Sequence, residues 1–242
     1  SPMVNLSGGP PAVHEDRRGF TAIKKLYTFM EVHAELIDGD RSAAETALVY
    51  DQDTLMFYGN RDAAARYIDE VRGVEEALFR AHVPFDIVSS GMLARGLDSR
   101  YKCLFIPNAA CFPENAATAL QSFVTRGGGA VCTYETGCHD PVDGPRETGL
   151  LDSLLGIHGP VRAVAAVGDT TGPAQVYMRR RSDCCNPVAL GVGNLQPLSG
   201  RFRPVEAGGG TEIIYERTRP FRLFPEGWSY PEGDDPAEPV AV

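Results

Sequence analysis

The residue types best suited to chemistry crowd into one segment, ETGCHDPVDGPR over 135–146. Glu135, His139, Asp140 and Arg146 are its candidate pocket-lining residues, with Asp143 beside them. The alternative is a solvated loop shaped by Gly137, Pro141, Gly144 and Pro145, with Arg146 paired to a local carboxylate. Thiol chemistry would need a cysteine on a sharp strand-to-helix turn, a histidine base and backbone donors for an oxyanion. Cys132 instead sits between Val131 and Thr133 in an apolar run, and Cys138 lies past the turn; neither has the flanking glycines of GxCxG. Cys138, His139 and Asp140 are consecutive, so they do not readily converge on one ion, and no CxxC pair supports a zinc site. The glycines 127–129 precede a strand and lack the following Lys-Ser/Thr of a phosphate loop. Glycoside hydrolysis needs two carboxylates about 5–10 Å apart, and the many acidic residues single out no pair. No catalytic residue, metal or cofactor is therefore assigned.

These residues need elements to hold them. Apolar positions Ile23, Leu26, Tyr27, Met30, Ala34 and Ile37 recur at helical spacing, predicting a helix between Gly19 and Gly39. TALVY at 46–50 and FDIVS at 85–89 read as buried strands, as do CLFIP at 103–107 and AVCTY at 130–134. A helical stripe of Ala64, Ile68, Val71, Leu78 and Phe79 lies between the first two. Another, with Ala116, Leu120, Phe123 and Val124, follows Pro113 and ends near Gly127. The stretch 51–60, DQDTLMFYGN, reads as a loop of turn formers and aromatics. Short apolar runs separated by amphipathic helices predict α/β architecture: a doubly wound, mainly parallel sheet with helices on both faces. Ligands in such sheets bind outside the carboxyl ends of the strands, which singles out the loops 51–60, 108–112 and 135–146. Later strands are expected at 161–167, 175–178 and 212–216, and the final Val-Ala-Val reads as the first half of another.

Composition narrows the classes. The chain has 242 residues, 23 basic and 32 acidic side chains, a net charge of −9 and a pI near 5.1. Nucleic acids and anionic membranes both require a cationic face, so neither is an expected partner. No apolar run approaches the ~18–20 residues of a membrane span. Six sparse cysteines do not make a disulfide scaffold. They favour a reducing compartment, and with it a soluble cytoplasmic protein.

The ordered set ALVYDQ, HVPFDIVSS, YKCLFIPNAACF, FVTRGGGAVCTYETGCHDPVDGPR and LLDSLLGIHG resembles the β-galactosidase trimerisation domain of family-42-type β-galactosidases and related glycosidases. The resemblance covers about residues 46–159. It implies a class I glutamine-amidotransferase-like, flavodoxin-like three-layer sandwich that is not the catalytic part of its enzyme. Amidotransferase relatives present cysteine at the bend after the glycine-rich strand; here the matching stretch is TYET, which puts that chemistry in doubt. Residues 1–45 resemble the end of a catalytic barrel and its linker helix. Residues 46–242 would be the amidotransferase-like domain, truncated at its end, within a longer protein.

The resemblance thus implies an assembly and active-site-shaping domain, homo-oligomeric in the full-length protein, with a carbohydrate ligand. Met56, Phe57 and Tyr58 are candidates for the interface. The alternatives are a thiol hydrolase or amidotransferase-like enzyme using Cys132 or Cys138 with His139, and a saccharide-binding module.

Overall fold

The computed structural model describes residues 17–37, 41–58, 61–159, 161, 164–165, 176–198, 201–218 and 238–241. The chain divides into two units, Ser1–Ala43 and Ala44–Val242. In the first, the helix expected between Gly19 and Gly39 is split at His33 into α1 (Arg17–Val32) and α2 (Ala34–Ile37).

The second unit begins with the alternation that the sequence predicts. Strand β1 (Thr46–Tyr50) leads into α3 (Gln52–Phe57) and α4 (Arg61–Arg80). Then come β2 (Phe85–Ser89), α5 (Ser90–Arg95), β3 (Cys103–Ile106), α6 (Glu114–Thr125) and β4 (Gly129–Cys132). The strands form one parallel sheet in the order β2-β1-β3-β4. Ala47 pairs with Asp86 on one side and Leu104 on the other.

Alternate side chains of a strand point to opposite faces, so each face needs its own cover. On one, Ala47, Val49, Val88, Leu104 and Ile106 pack with Leu93 of α5 and with Ala116, Leu120 and Phe123 of α6. On the other, Leu48 lies beneath Tyr67 and Val71 of α4, with Tyr50 and Phe105 alongside. The result is the three-layer, doubly wound α/β sandwich expected. Gly127, at φ +94°, follows the end of α6 in a conformation that favours glycine.

Several local expectations need correction. The stretch 51–60 is not simply a loop, because Asp51 caps α3 by accepting from the Thr54 backbone N–H. The fourth strand stops at Cys132 rather than residue 134; Tyr134 turns to φ +53°, outside the extended region. Helix α5 went unpredicted, as did the hairpin of β5 (His139–Asp140) and β6 (Gly144–Pro145). Past α7 (Asp152–Leu155), β7 (Ile157–His158) and β8 (Val164–Ala165) lie in the 157–165 region. Most of the strand expected over 161–167 lies outside the described residues.

A second, antiparallel sheet follows. Strand β9 is Val176–Arg180 and β10 is Leu195–Leu198; β11 (Arg201–Phe202) and β12 (Glu206–Ala207) pair back onto β8 and β7. The strand expected at 212–216 begins later, as β13 (Tyr215–Thr218). The terminal strand β14 is Glu238–Ala241. The order is β10-β9-β13-β14.

Candidate functional site

The carboxyl ends of β1, β3 and β4 bring the predicted loops together. Asp51, directly after β1, is fully buried. One carboxylate oxygen accepts from Ser90 Oγ at 2.6 Å, and the other accepts from the Thr54 N–H at 2.8 Å and its hydroxyl at 2.5 Å. The Asp51 N–H donates to Tyr67 Oη at 2.6 Å. Thr54 Oγ1 in turn accepts from the Cys111 N–H at 2.9 Å. This network links the ends of β1 and β3, at the point where the strand order reverses and α/β proteins commonly bind ligands.

The second cluster centres on Glu135, which is 6% exposed. Tyr58 Oη donates to Glu135 Oε2, and His139 Nε2 lies 3.3 Å from the same oxygen. The rings of Tyr58 and His139 meet edge-on with centroids 4.9 Å apart. Burial, reinforced by the Glu135 carboxylate, raises the Tyr58 phenol above its ordinary range. The hydroxyl therefore stays protonated and keeps donating at physiological pH.

The predicted segment 135–146 separates into two parts. Glu135 and His139 turn to the Tyr58 side, whereas Asp140 and Arg146 pair with each other at 3.2 Å. Arg146 also lies 3.6 Å from Glu114, so the local pairing foreseen as the alternative is present. Asp140 accepts from the backbone N–H groups of Val142 and Asp143, which hold its carboxyl below the usual range. The three aromatic-loop candidates diverge as well. Met56 and Phe57 are 65% and 55% exposed, while Tyr58 is buried against Ala110 and Cys111.

Residues not singled out beforehand complete the site. Glu70 on α4 accepts from Thr133 Oγ1 at 2.8 Å, and that oxygen accepts from the Asn108 N–H at 3.0 Å. Burial raises the Glu70 carboxyl above its ordinary value, the Thr133 hydrogen bond opposes this, and Glu135 adds to it. A raised carboxyl binds its proton more tightly folded than unfolded. Its contribution is fully present below the unfolded value and is lost as pH climbs through the folded one. Glu70→Gln should therefore raise the urea midpoint at neutral pH and leave it unchanged in buffer below the ordinary glutamate range. An equal shift at both pH values would contradict this origin.

Thiol chemistry finds no support in this geometry. Tyr134 occupies the left-handed bend after β4, and Cys132 remains inside the strand. Burial pushes the thiols of Cys111, Cys132 and Cys138 up to about 12. At neutral pH that leaves roughly one thiolate in 100,000. Among the described residues, no group of three or more His, Cys, Asp or Glu could hold a metal ion. Among them, too, no helix is long and apolar enough to cross a membrane, and none of the sheets is an eight-stranded parallel barrel.

Comparison with known proteins agrees with this fold. The β-galactosidase BglY of Alicyclobacillus acidocaldarius is 27% identical over 225 residues, which are 91% of this chain and 30% of that protein. The chain thus spans about 30% of the length of this curated relative. The crystal structure of the β-galactosidase from Bacillus circulans sp. alkalophilus superposes with a TM-score of 0.65 at 22% identity, covering 84% of this chain and 29% of that one. The β-galactosidase from Rahnella sp. R3 gives 0.64 at 20% identity, covering 84% and 29%. These two likenesses establish the fold. Residues 44–169 match the family described as the β-galactosidase trimerisation domain, and the chain belongs to that family.

Proposed function

We propose that this chain is the assembly domain of a family-42-type glycoside hydrolase acting on β-galactosides. In this reading the two catalytic carboxylates lie on a barrel outside the chain. The observation that carries it is the family match over residues 44–169. The strand-end geometry supports it. The bend where a nucleophile would sit holds Tyr134, and Glu135 is engaged by Tyr58 and His139 of its own chain.

In this reading the chain self-associates through its strand-end surface, which the exposure of two apolar side chains there supports. Met56 and Phe57 project from α3 as adjacent apolar side chains, whereas Tyr58 anchors that helix end from beneath. Buried apolar anchors near the centre of an interface carry much of its energy, and losing one costs about 2 kcal/mol or more. Met56→Asp combined with Phe57→Asp should weaken association by roughly 30-fold or more, measured by sedimentation velocity against wild type. An unchanged association constant would remove these two residues from the interface.

A further inference from the structure

Asn108 stands just past β3 in the strand-end loop, and it is fully buried. Both atoms of its side-chain amide, Oδ1 and Nδ2, lack a hydrogen-bond partner among the described residues. Buried polar groups are nearly always paired, so an amide unpaired at both atoms calls for a ligand.

The main chain around this amide is pinned in place. The Asn108 N–H donates to Thr133 Oγ1 at 3.0 Å, and its carbonyl accepts from the Ala110 N–H at 2.7 Å. The carbonyls of Ala109 and Ala110 accept from the Gly137 and His139 N–H groups, each at 3.0 Å. Thr54 Oγ1 accepts from the Cys111 N–H at 2.9 Å. The loop is therefore tied to both of its neighbours and does not slide to carry the amide to another protein group. Asn108 also holds φ +39°, and Tyr134 holds +53°. Ile106 pairs with Cys132 in the sheet, so these two residues lie two positions past the same rung. Left-handed backbone is uncommon outside glycine and gathers at binding sites. Here it ends adjacent strands beside the crevice where the strand order reverses.

An amide presents a donor and an acceptor side by side. A carboxylate or phosphate would answer only its N–H, and a cation only its oxygen. A hydroxyl answers both, because it donates and accepts through one atom. Burial then sets the size, since an amide closed off from solvent takes a single water more readily than a sugar or polyol. We propose that Asn108 forms the binding site of one internal water, whose oxygen accepts from Nδ2 and whose O–H donates to Oδ1. Interior waters make roughly 2–4 hydrogen bonds and pair polar groups that the chain leaves unpaired.

The test is water-contact NMR on the whole 242-residue chain. The Asn108 side-chain amide is assigned through its own backbone, so the measurement rests on wild type alone. A long-lived bound water gives NOE and ROE contacts of opposite sign, whereas proton exchange gives the same sign in both. The Nδ2 protons of Asn108 should show the opposite-sign pair, unchanged by added glycerol or galactose. A crystal structure should place the water oxygen about 2.7–3.2 Å from both amide atoms. Replacement of the water contact by one to glycerol or galactose would assign the hydroxyl to a polyol and overturn the water. Absence of any water contact, or an amide paired with a protein group in the crystal, would overturn the site itself.

Discussion

Asp152→Ala is expected to destabilise the domain by about 3–5 kcal/mol, the usual consequence of breaking one side of a buried ion pair. Asp152 and Arg203 form a two-pronged pair at 2.7 and 2.6 Å, with their side chains 12% and 4% exposed. The same carboxylate accepts from the Gly149 N–H at 2.9 Å, so the substitution also strands a backbone donor. Arg203 lies between β11 and β12, 51 residues further along the chain. Removing Asp152 therefore loosens the segment that pairs back onto β7 and β8, as well as its own short helix. Urea unfolding measures the loss. Replacing the pair together, as Asp152→Leu with Arg203→Met, should recover part of it, because neither member of the pair is then left buried without the other. A single-variant loss below about 1 kcal/mol would show that the pair is not desolvated in solution.

Asp51→Ala comes next in expected size, at about 2–4 kcal/mol. Each buried donor left without an acceptor costs about 1–3 kcal/mol, and the Ser90 and Thr54 hydroxyls can partly recover by rotating. The Thr54 N–H cannot rotate, and it loses the cap that starts α3. Asp51→Asn keeps one acceptor oxygen and should cost less. Beyond the stability loss, Asp51→Ala should increase hydrogen exchange at Thr54 and Cys111, which the network joins. Equal stability of the alanine and asparagine variants would contradict a role for the carboxylate as shared acceptor.

The parallel sheet was legible because its signal is local. TALVY, FDIVS and CLFI are short apolar runs bounded by polar residues, and the stripes of α4 and α6 repeat over two turns or more. Two short helices escaped for the same physical reason. The helices α3 and α5 have six residues each, too few for periodicity to show. Their caps were the available signal, since Asp51 and Ser89 each accept from the backbone N–H three residues on. The segment 135–146 stood out by residue type, but its division into a Glu135–His139 side and an Asp140–Arg146 side depends on how the chain turns. Adjacency groups Tyr58 with Met56 and Phe57, whereas its direction is set by Glu135, 77 residues away. The Asp152–Arg203 pair is equally non-local, and nothing in the sequence around either residue marks the other.

The claim that this fold supports chemistry elsewhere, and carries no thiol nucleophile of its own, is tested most directly by limiting iodoacetamide labelling at neutral pH with peptide-level mass spectrometry. The exposed Cys185 should react first. Cys111, Cys132 and Cys138, with thiols pushed up to about 12, should remain unmodified in the native chain. Stoichiometric labelling of Cys132 or Cys138 ahead of Cys185 would contradict the account, because it would reveal an activated thiol beside the bend that Tyr134 occupies.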